Sequence, residues 1–375
     1  MILSETQTLI RDAVREVARA EIAPRTRAFE AAGGYPDDLF PRLAEQGLCA
    51  MTAPEAAGGA GADYVSYALA LMEIAAADGA LSTILSIQNS LIVEALLNHG
   101  TPAQQARFLP DLVAGKAVGA FCLTESNAGS DAAAVRTTAR RSAEGYVLSG
   151  AKQFITSGKT AKLAIVFAVT DPEAGRKGMS AFLVPTDKPG FTVARVEEKL
   201  GLGASDTCAL AFDDVALEAD LLLGSEGEGY KIALANLAVG RLGIAAQAVG
   251  MAQAALEIAV AYAKERITFG QPIIAHQAVG HRLADLATRL EASRQLVLHA
   301  AVCKDAGLPA ITEASMAKLF ASETAEAVCS GALQTLGGYG YLEDFGIAKI
   351  YRDVRICQIY EGSSDIQRMV IARTL

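Results

Sequence analysis

Leu163-Ala164-Ile165-Val166-Phe167-Ala168-Val169 is an unbroken apolar run closed by Asp171-Pro172, and its reading decides the fold. A run this short, rich in β-branched and aromatic residues and bounded by a turn signal, is expected to be a buried strand. Comparable short runs surround it at Gly119–Leu123, Tyr146–Leu148, Met179–Val184, Thr192–Val196 and Cys208–Phe212, with turns at Glu144-Gly145 and Pro189-Gly190. Residues 118–224 therefore read as a β domain.

In both directions from this block the period becomes helical. Toward the N-terminus, Ser4 and Gln7 stand at capping-box spacing, Ile10, Val14 and Val17 mark one face, and Gly33-Gly34 closes the segment. Helices are expected over Asp37–Gly47, Tyr64–Ala77, Ser82–Asn98 and Pro102–Ala114, with the flexible run Gly58-Gly59-Ala60-Gly61 between the first two. After Gly224-Ser225-Glu226-Gly227, the stretches Tyr230–Arg266, His281–Ala306 and Glu313–Leu336 are long enough for an antiparallel bundle, and a last helix begins near Ser363 or Ser364. The expected architecture is α+β: an N-terminal helical domain over 1–117, a middle β domain over 118–224 and a C-terminal helical bundle over 225–375.

Composition narrows the function. The 375 residues exceed what one core serves. A net charge of −9 supplies no basic field for a nucleic-acid backbone or an anionic membrane, so neither is expected as a partner. The most apolar long stretch, Leu242–Ala263, is interrupted by Gln247, Gln253 and Glu257, which argues against a membrane span. Met1–Gln7 lacks the basic start of a secretory signal, and the 6 cysteines lie in apolar stretches without a CxxC pair. Reduced, buried thiols and a cytoplasmic location are expected.

The common motifs are missing. The histidines (His99, His276, His281, His299) show no HExxH spacing, so no metal site is expected, and GxSxG, Walker A and strand-to-helix GxGxxG sequences are absent. Any dinucleotide must be held by other means.

Four segments could carry chemistry. Cys122-Leu123-Thr124-Glu125-Ser126-Asn127-Ala128-Gly129-Ser130-Asp131 leaves a strand for a tight turn, and its N–H groups and hydroxyls suit either an anion cradle or an ordinary capped turn. In Gly150-Ala151-Lys152-Gln153-Phe154-Ile155-Thr156-Ser157-Gly158, period-two alternation puts Phe154 and Thr156 on one face, fit either to cover and edge-bond a flat ring or to serve as core Phe beside surface Thr. Gln334-Thr335-Leu336-Gly337-Gly338-Tyr339-Gly340-Tyr341 ends a helix with more glycine than a C-cap needs. Glu361 follows the largely apolar Val354–Tyr360, which would raise its pKa into the range of a base for a weak carbon acid; a helix-capping carboxylate is the plainer alternative.

In order and spacing these segments resemble the acyl-CoA dehydrogenase family over essentially the whole chain. Cys122–Ala134 fits its first signature; Gln334–Asp353, with Asp344, Lys349 and Asp353, fits the second. The resemblance implies a helical domain, a middle β-barrel-like domain and a C-terminal four-helix bundle, assembled as a homo-oligomer, usually a tetramer, with FAD as cofactor. It places Cys122, Thr124, Ser130, Phe154 and Thr156 at the flavin, and Arg266, Thr268, Phe269, Gln277, Gln334, Gly337, Gly338, Ser363 and Asp365 in a cofactor site shared between subunits. Ser130, Arg241, Tyr360 and Gly362 would meet substrate.

It also implies that Glu361 removes the α-proton of an acyl thioester while flavin N5 takes the β-hydride, with the thioester carbonyl held by the Glu361 N–H and a ribityl hydroxyl. Some relatives carry the base immediately before the Arg matching Arg241, a position that is Gly240 here. Three residues before that Arg, where relatives have an Asp or Asn that helps hold CoA, stands Ala238, so a carrier-protein-bound acyl or aminoacyl thioester is an alternative to acyl-CoA. Ser86–Leu91 and Gln358–Arg368 look most like short- and branched-chain members. The expected electron acceptor is an electron-transfer flavoprotein, with an acyl-CoA oxidase as runner-up and a DNA-binding alkylation-response flavoprotein disfavoured by the acidic charge.

Overall fold

A computed structural model describes all residues from Met1 to Leu375. The N-terminal part is helical: α1 (Glu5–Val17), α2 (Thr26–Ala32), α3 (Leu39–Glu45), α4 (Tyr64–Ala77), α5 (Gly79–Ile87), α6 (Glu94–His99) and α7 (Pro102–Val113). The capping box forms as read, with Gln7 N donating to Ser4 Oγ at 3.2 Å and Ser4 N to Gln7 Oε1 at 3.0 Å. The helix expected from Ser82 starts earlier, at Gly79, because the Asp78 carboxylate caps it by accepting from Ala80 N at 2.8 Å and Leu81 N at 3.2 Å.

A π-helical turn over Gln88–Val93 joins α5 to α6. Such widened turns free side chains for tertiary work. The Asn89 amide spans Leu48 O and Leu85 O, both at 2.8 Å, and Gln88 Nε2 reaches Leu112 O at 3.0 Å while Gln88 Oε1 accepts from Gly119 N at 3.0 Å. Gln88 thereby ties the helical region to the first strand, and Asn89 ties the turn to the segment after α3.

The middle region is one eight-stranded sheet: β1 (Gly119–Cys122), β2 (Thr138–Arg141), β3 (Gly145–Thr156), β4 (Leu163–Val169), β5 (Met179–Pro185), β6 (Phe191–Val196), β7 (Thr207–Glu218) and β8 (Leu222–Leu223). Its order is β6-β7-β3-β2-β4-β5-β8, with β1 parallel to β4. Six of the seven β4 residues are buried, which is why that strand has no polar alternation. β3 and β7 run well beyond their apolar ends, because Gly150, Lys152, Gln153, Asp213 and Asp214 conceal the remainder. Their ladder slips register between Lys152 and Ile155.

The C-terminal part comprises α8 (Gly229–Glu265), a hairpin of β9 (Ile267–Thr268) and β10 (Gln271–Pro272), then α9 (Gln277–Asp305), α10 (Ile311–Leu336), α11 (Ile347–Val354) and α12 (Ser364–Ala372). One core runs from Val14 through α4 and the long helices to Cys357, and a second fills the sheet. Gly250 lets α8 approach α4 so closely that an added Cβ would lie 2.1 Å from Met72 O. Gly79–His99 and Gly229–Glu265 are long and apolar enough to cross a membrane, yet 89% and 78% of their most apolar windows are buried inside this fold.

Candidate active site

The Glu361 carboxylate is enclosed. The residue keeps some exposure as a whole, but both side-chain oxygens are buried and neither has a hydrogen-bond partner. Loss of water pushes its carboxyl up to about 7, against the pull of Lys318 and Arg241. Its backbone is left-handed, φ 51°, and so is that of Gly362, φ 92°. Ser363 then N-caps α12, so the capping role lies two residues beyond Glu361.

Gly240 of α8 makes the pocket possible. A Cβ there would lie 1.9 Å from Glu361 Oε2, so the carboxylate occupies the space a side chain would take. One helical turn on, a Cβ at Gly243 would meet Ser86 Oγ at 2.1 Å and Tyr67 Oη at 2.9 Å. The two glycines thus open one face of α8 to an acid and a hydroxyl pair.

Arg241 is buried, donates Nη1 to Ser315 Oγ at 3.2 Å and leaves its Nε unpaired. Burial lowers its pKa. The Tyr360 hydroxyl bonds to Gln247 and lies 3.3 Å from Thr83 Oγ1, which anchors the segment leading into Glu361. The Glu361 amide N–H donates to no group of the chain.

A second group of residues forms where β1 meets β3. Gln153 N donates to Thr124 O at 2.9 Å, and Lys152 Nζ reaches Leu123 O at 3.0 Å and Glu125 Oε1 at 2.8 Å. That ion pair is almost wholly buried, at 0% and 5% side-chain exposure, and Glu125 also accepts from Arg136 N at 2.7 Å and Thr137 N at 3.0 Å. It locks the turn carrying Thr124 against the strand carrying Phe154 and Thr156; neither Glu125 nor Lys152 stood out in the sequence.

Phe154 does not follow simple alternation. It takes φ 58° at the register slip, and its ring is left 63% exposed. Positive φ on an exposed aromatic is costly and marks a site. Ser130 is also exposed, Cys122 is buried, and Gly129 has open space where a Cβ would stand.

A third group lines a cleft of about 400 Å³ that includes Arg266, Thr268, Thr335, Gly337, Gly338 and Tyr339. Gly337 ends α10 with φ 60° and ψ −134°, outside the left-handed region of an ordinary glycine C-cap, and neither it nor Gly338 has an atom within 4 Å of an added Cβ. Beside the cleft, the β9–β10 turn holds Phe269 at φ 49° and 96% exposure. Gln277, first residue of α9, and Gln334, near the end of α10, are exposed. Asp365 is exposed too and pairs with Arg368 at 3.6 Å. No side-chain hydrogen bond or ion pair joins this cleft to the other two groups.

The signature residues Lys349 and Asp353 serve the scaffold. They pair at 2.5 Å, and Asp353 Oδ1 accepts from Leu202 N at 2.5 Å, fastening the β6–β7 connection to α11.

Family models for the N-terminal, middle and C-terminal domains of acyl-CoA dehydrogenases match residues 4–116, 120–215 and 227–375. This chain belongs to the acyl-CoA dehydrogenase family. An acyl-CoA dehydrogenase of Bacillus subtilis is 47% identical over 100% of this chain and 99% of its own. The mitochondrial short-chain specific acyl-CoA dehydrogenase of Bos taurus is 44% identical over 99% of this chain and 90% of its own. The solved butyryl-CoA dehydrogenase of Megasphaera elsdenii superposes with a TM-score of 0.97 at 40% identity, covering 100% of this chain and 99% of that one. The α+β architecture is therefore that of acyl-CoA dehydrogenases, and the protein is an oxidoreductase of that class.

Members of the family are FAD-dependent, and the residues present fit such a cofactor. Phe154 and Phe269 offer exposed aromatic faces, Gly129, Gly337 and Gly338 leave backbone open to close approach, and Arg266 brings a cation to the cleft.

Proposed function

We propose that this protein oxidises the α,β-bond of a short- or branched-chain acyl-CoA, with Glu361 as the base that takes the α-proton. The observation that carries this reading is the Glu361 carboxylate itself: buried, unpaired on both oxygens, pushed up to about 7, and seated in the gap left by Gly240. A base of that strength is matched to a weak carbon acid near neutral pH. Neither oxygen is engaged by a hydrogen bond from the chain.

Other residues prepare the substrate. The free Glu361 N–H is available to the thioester carbonyl, where a hydrogen bond stabilises charge developing as the proton leaves. Arg241 keeps a buried positive charge near the carboxylate, and Tyr360 and Gly362 shape the adjoining wall. FAD, when bound, supplies the hydride acceptor for the β-carbon. Thr124, Ser130, Phe154 and Thr156 would hold its ring and pyrophosphate region, while Arg266, Thr268, Phe269, Gln277, Gln334, Gly337, Gly338, Ser363 and Asp365 would complete the cofactor site in a homo-oligomer, a tetramer by family analogy. Electrons would pass to an electron-transfer flavoprotein.

Anaerobic bleaching of the flavin absorbance by a panel of acyl-CoAs tests the reading. Butyryl-CoA or a short branched acyl-CoA should bleach it fastest. Silence across the CoA panel, with bleaching by a carrier-protein thioester, would move the substrate to the class that Ala238 favours. Silence with both would defeat the proposal.

A further inference from the structure

Lys318 on α10 is 0% exposed. Its single hydrogen bond runs from Nζ to the Gly362 carbonyl oxygen at 2.7 Å, and the same oxygen accepts from Gln367 Nε2 at 2.8 Å. Burying an ammonium group is expensive, and fixing one backbone carbonyl already served by an amide is a small structural return. The clamped peptide joins Gly362 to Ser363, one peptide beyond the left-handed Glu361, and Gln367 Nε2 also lies 3.4 Å from Glu361 O. Left-handed backbone at a glutamate is strained and persists only where its surroundings over-determine it. Lys318 and Gln367 are those surroundings.

We propose that Lys318 is a positioning residue for proton abstraction: by clamping the Gly362 carbonyl it holds the turn that aims the Glu361 carboxylate into the Gly240 gap, and its ammonium charge favours the ionised base. The inference rests on Glu361 being the base. The titratable and charged groups facing that carboxylate are Lys318 from α10, Arg241 from α8, Tyr67 from α4, and Cys357 and Tyr360 from the segment before it. Only the two cations pull the carboxyl down, and Lys318 has the larger pull. Burial lowers Lys318 itself to about 8, above the value of Glu361, so its charge is largely in place as Glu361 begins to ionise.

Two variants separate the clamp from the charge. Lys318→Gln keeps a donor near Gly362 without the charge; Lys318→Met removes both and leaves an apolar chain that a buried site tolerates. In FAD-loaded enzyme without substrate, the Glu361 carboxyl band is titrated by infrared difference spectroscopy, with Glu361→Gln assigning the band. Flavin reduction by butyryl-CoA is then followed anaerobically against pH.

Both variants should raise the infrared midpoint by about one pH unit, which lowers the reduction rate at pH 7 by about fivefold. Lys318→Met should also lower the high-pH plateau that Lys318→Gln largely keeps. A midpoint unmoved in both variants, or a Lys318→Met plateau equal to wild type, would overturn the inference. If no acyl thioester reduces the wild-type flavin, the proposed function fails separately, and the infrared midpoint still decides whether Lys318 biases the carboxylate.

Discussion

The pocket around Glu361 and the cleft beside Phe269 are opposite kinds of site. The first is closed by residues of α4, α8, α10 and the turn before α12, and its polar atoms lie out of water. The second offers an aromatic ring at 96% exposure and glycines with open space around them. A closed pocket sets the strength of an acid, whereas an open one contributes only once something covers it. Substitutions in the pocket should therefore change chemistry while leaving cofactor retention alone, and substitutions at the cleft should do the reverse.

The largest effect is expected at the base. Glu361→Gln preserves shape and removes the proton acceptor, so flavin reduction by substrate should fall about 10²–10⁴-fold while FAD content stays normal. Near-normal turnover would end the assignment.

The same carboxyl should appear in stability. Its ordinary value is 4.5 and its folded value about 7, so between those pH values the unfolded chain releases a proton that the folded chain keeps. Stability from this group is then present below pH 4.5, falls as pH rises to 7 and is level above, a change of about 3 kcal/mol. Urea unfolding across this window should show a downward slope in wild type that is shallower by that amount in Glu361→Gln. Parallel slopes in the two proteins would mean the carboxyl is wetter than the pocket implies.

Gly240→Ala probes the gap directly. In an ordinary helix that change stabilises by up to about 1 kcal/mol, but here the methyl meets Glu361 Oε2 at 1.9 Å. Displacing the carboxylate by about 1 Å should cost about 10²-fold in flavin reduction, with FAD retained and the melting temperature little changed. Unaltered kinetics would show that the carboxylate has room elsewhere.

The sequence disclosed much of this pocket and little of what supports it. Glu361 and Gly240 were legible because the base and its rival position fall within recognisable segments, but Gly240 read only as a missing carboxylate, not as the space the real one fills. Lys318 and Tyr67 lie far away in sequence, in helices whose apolar period gave them no distinction. Glu125 and Lys152 sat inside segments already singled out, yet their pairing depends on β1 approaching β3, a sheet contact no local pattern states. β2 is not legible because Thr138–Arg141 is too polar to read as a strand, and the face of Phe154 departs from alternation because the register slip interrupts it.

The smallest expected effect is also the most direct contrast with the pocket. Thr268 pairs with Gln271 across a two-residue turn, so Phe269 and Gly270, at φ 49° and 78°, occupy the positions where a tight hairpin favours Asn-Gly. Phe269 gains little from the chain for accepting that backbone, since its ring only meets His276 edge-on at 5.9 Å. A bulky residue held there in solvent implies a benefit realised outside this chain's own packing. Phe269→Asn should therefore leave the fold as stable or raise it by about 0.5 kcal/mol, while FAD dissociates about tenfold more readily, read as flavin fluorescence released on dilution. An FAD affinity unchanged in a more stable protein would remove Phe269 from the cofactor site and leave its strained turn without a purpose in the proposed function.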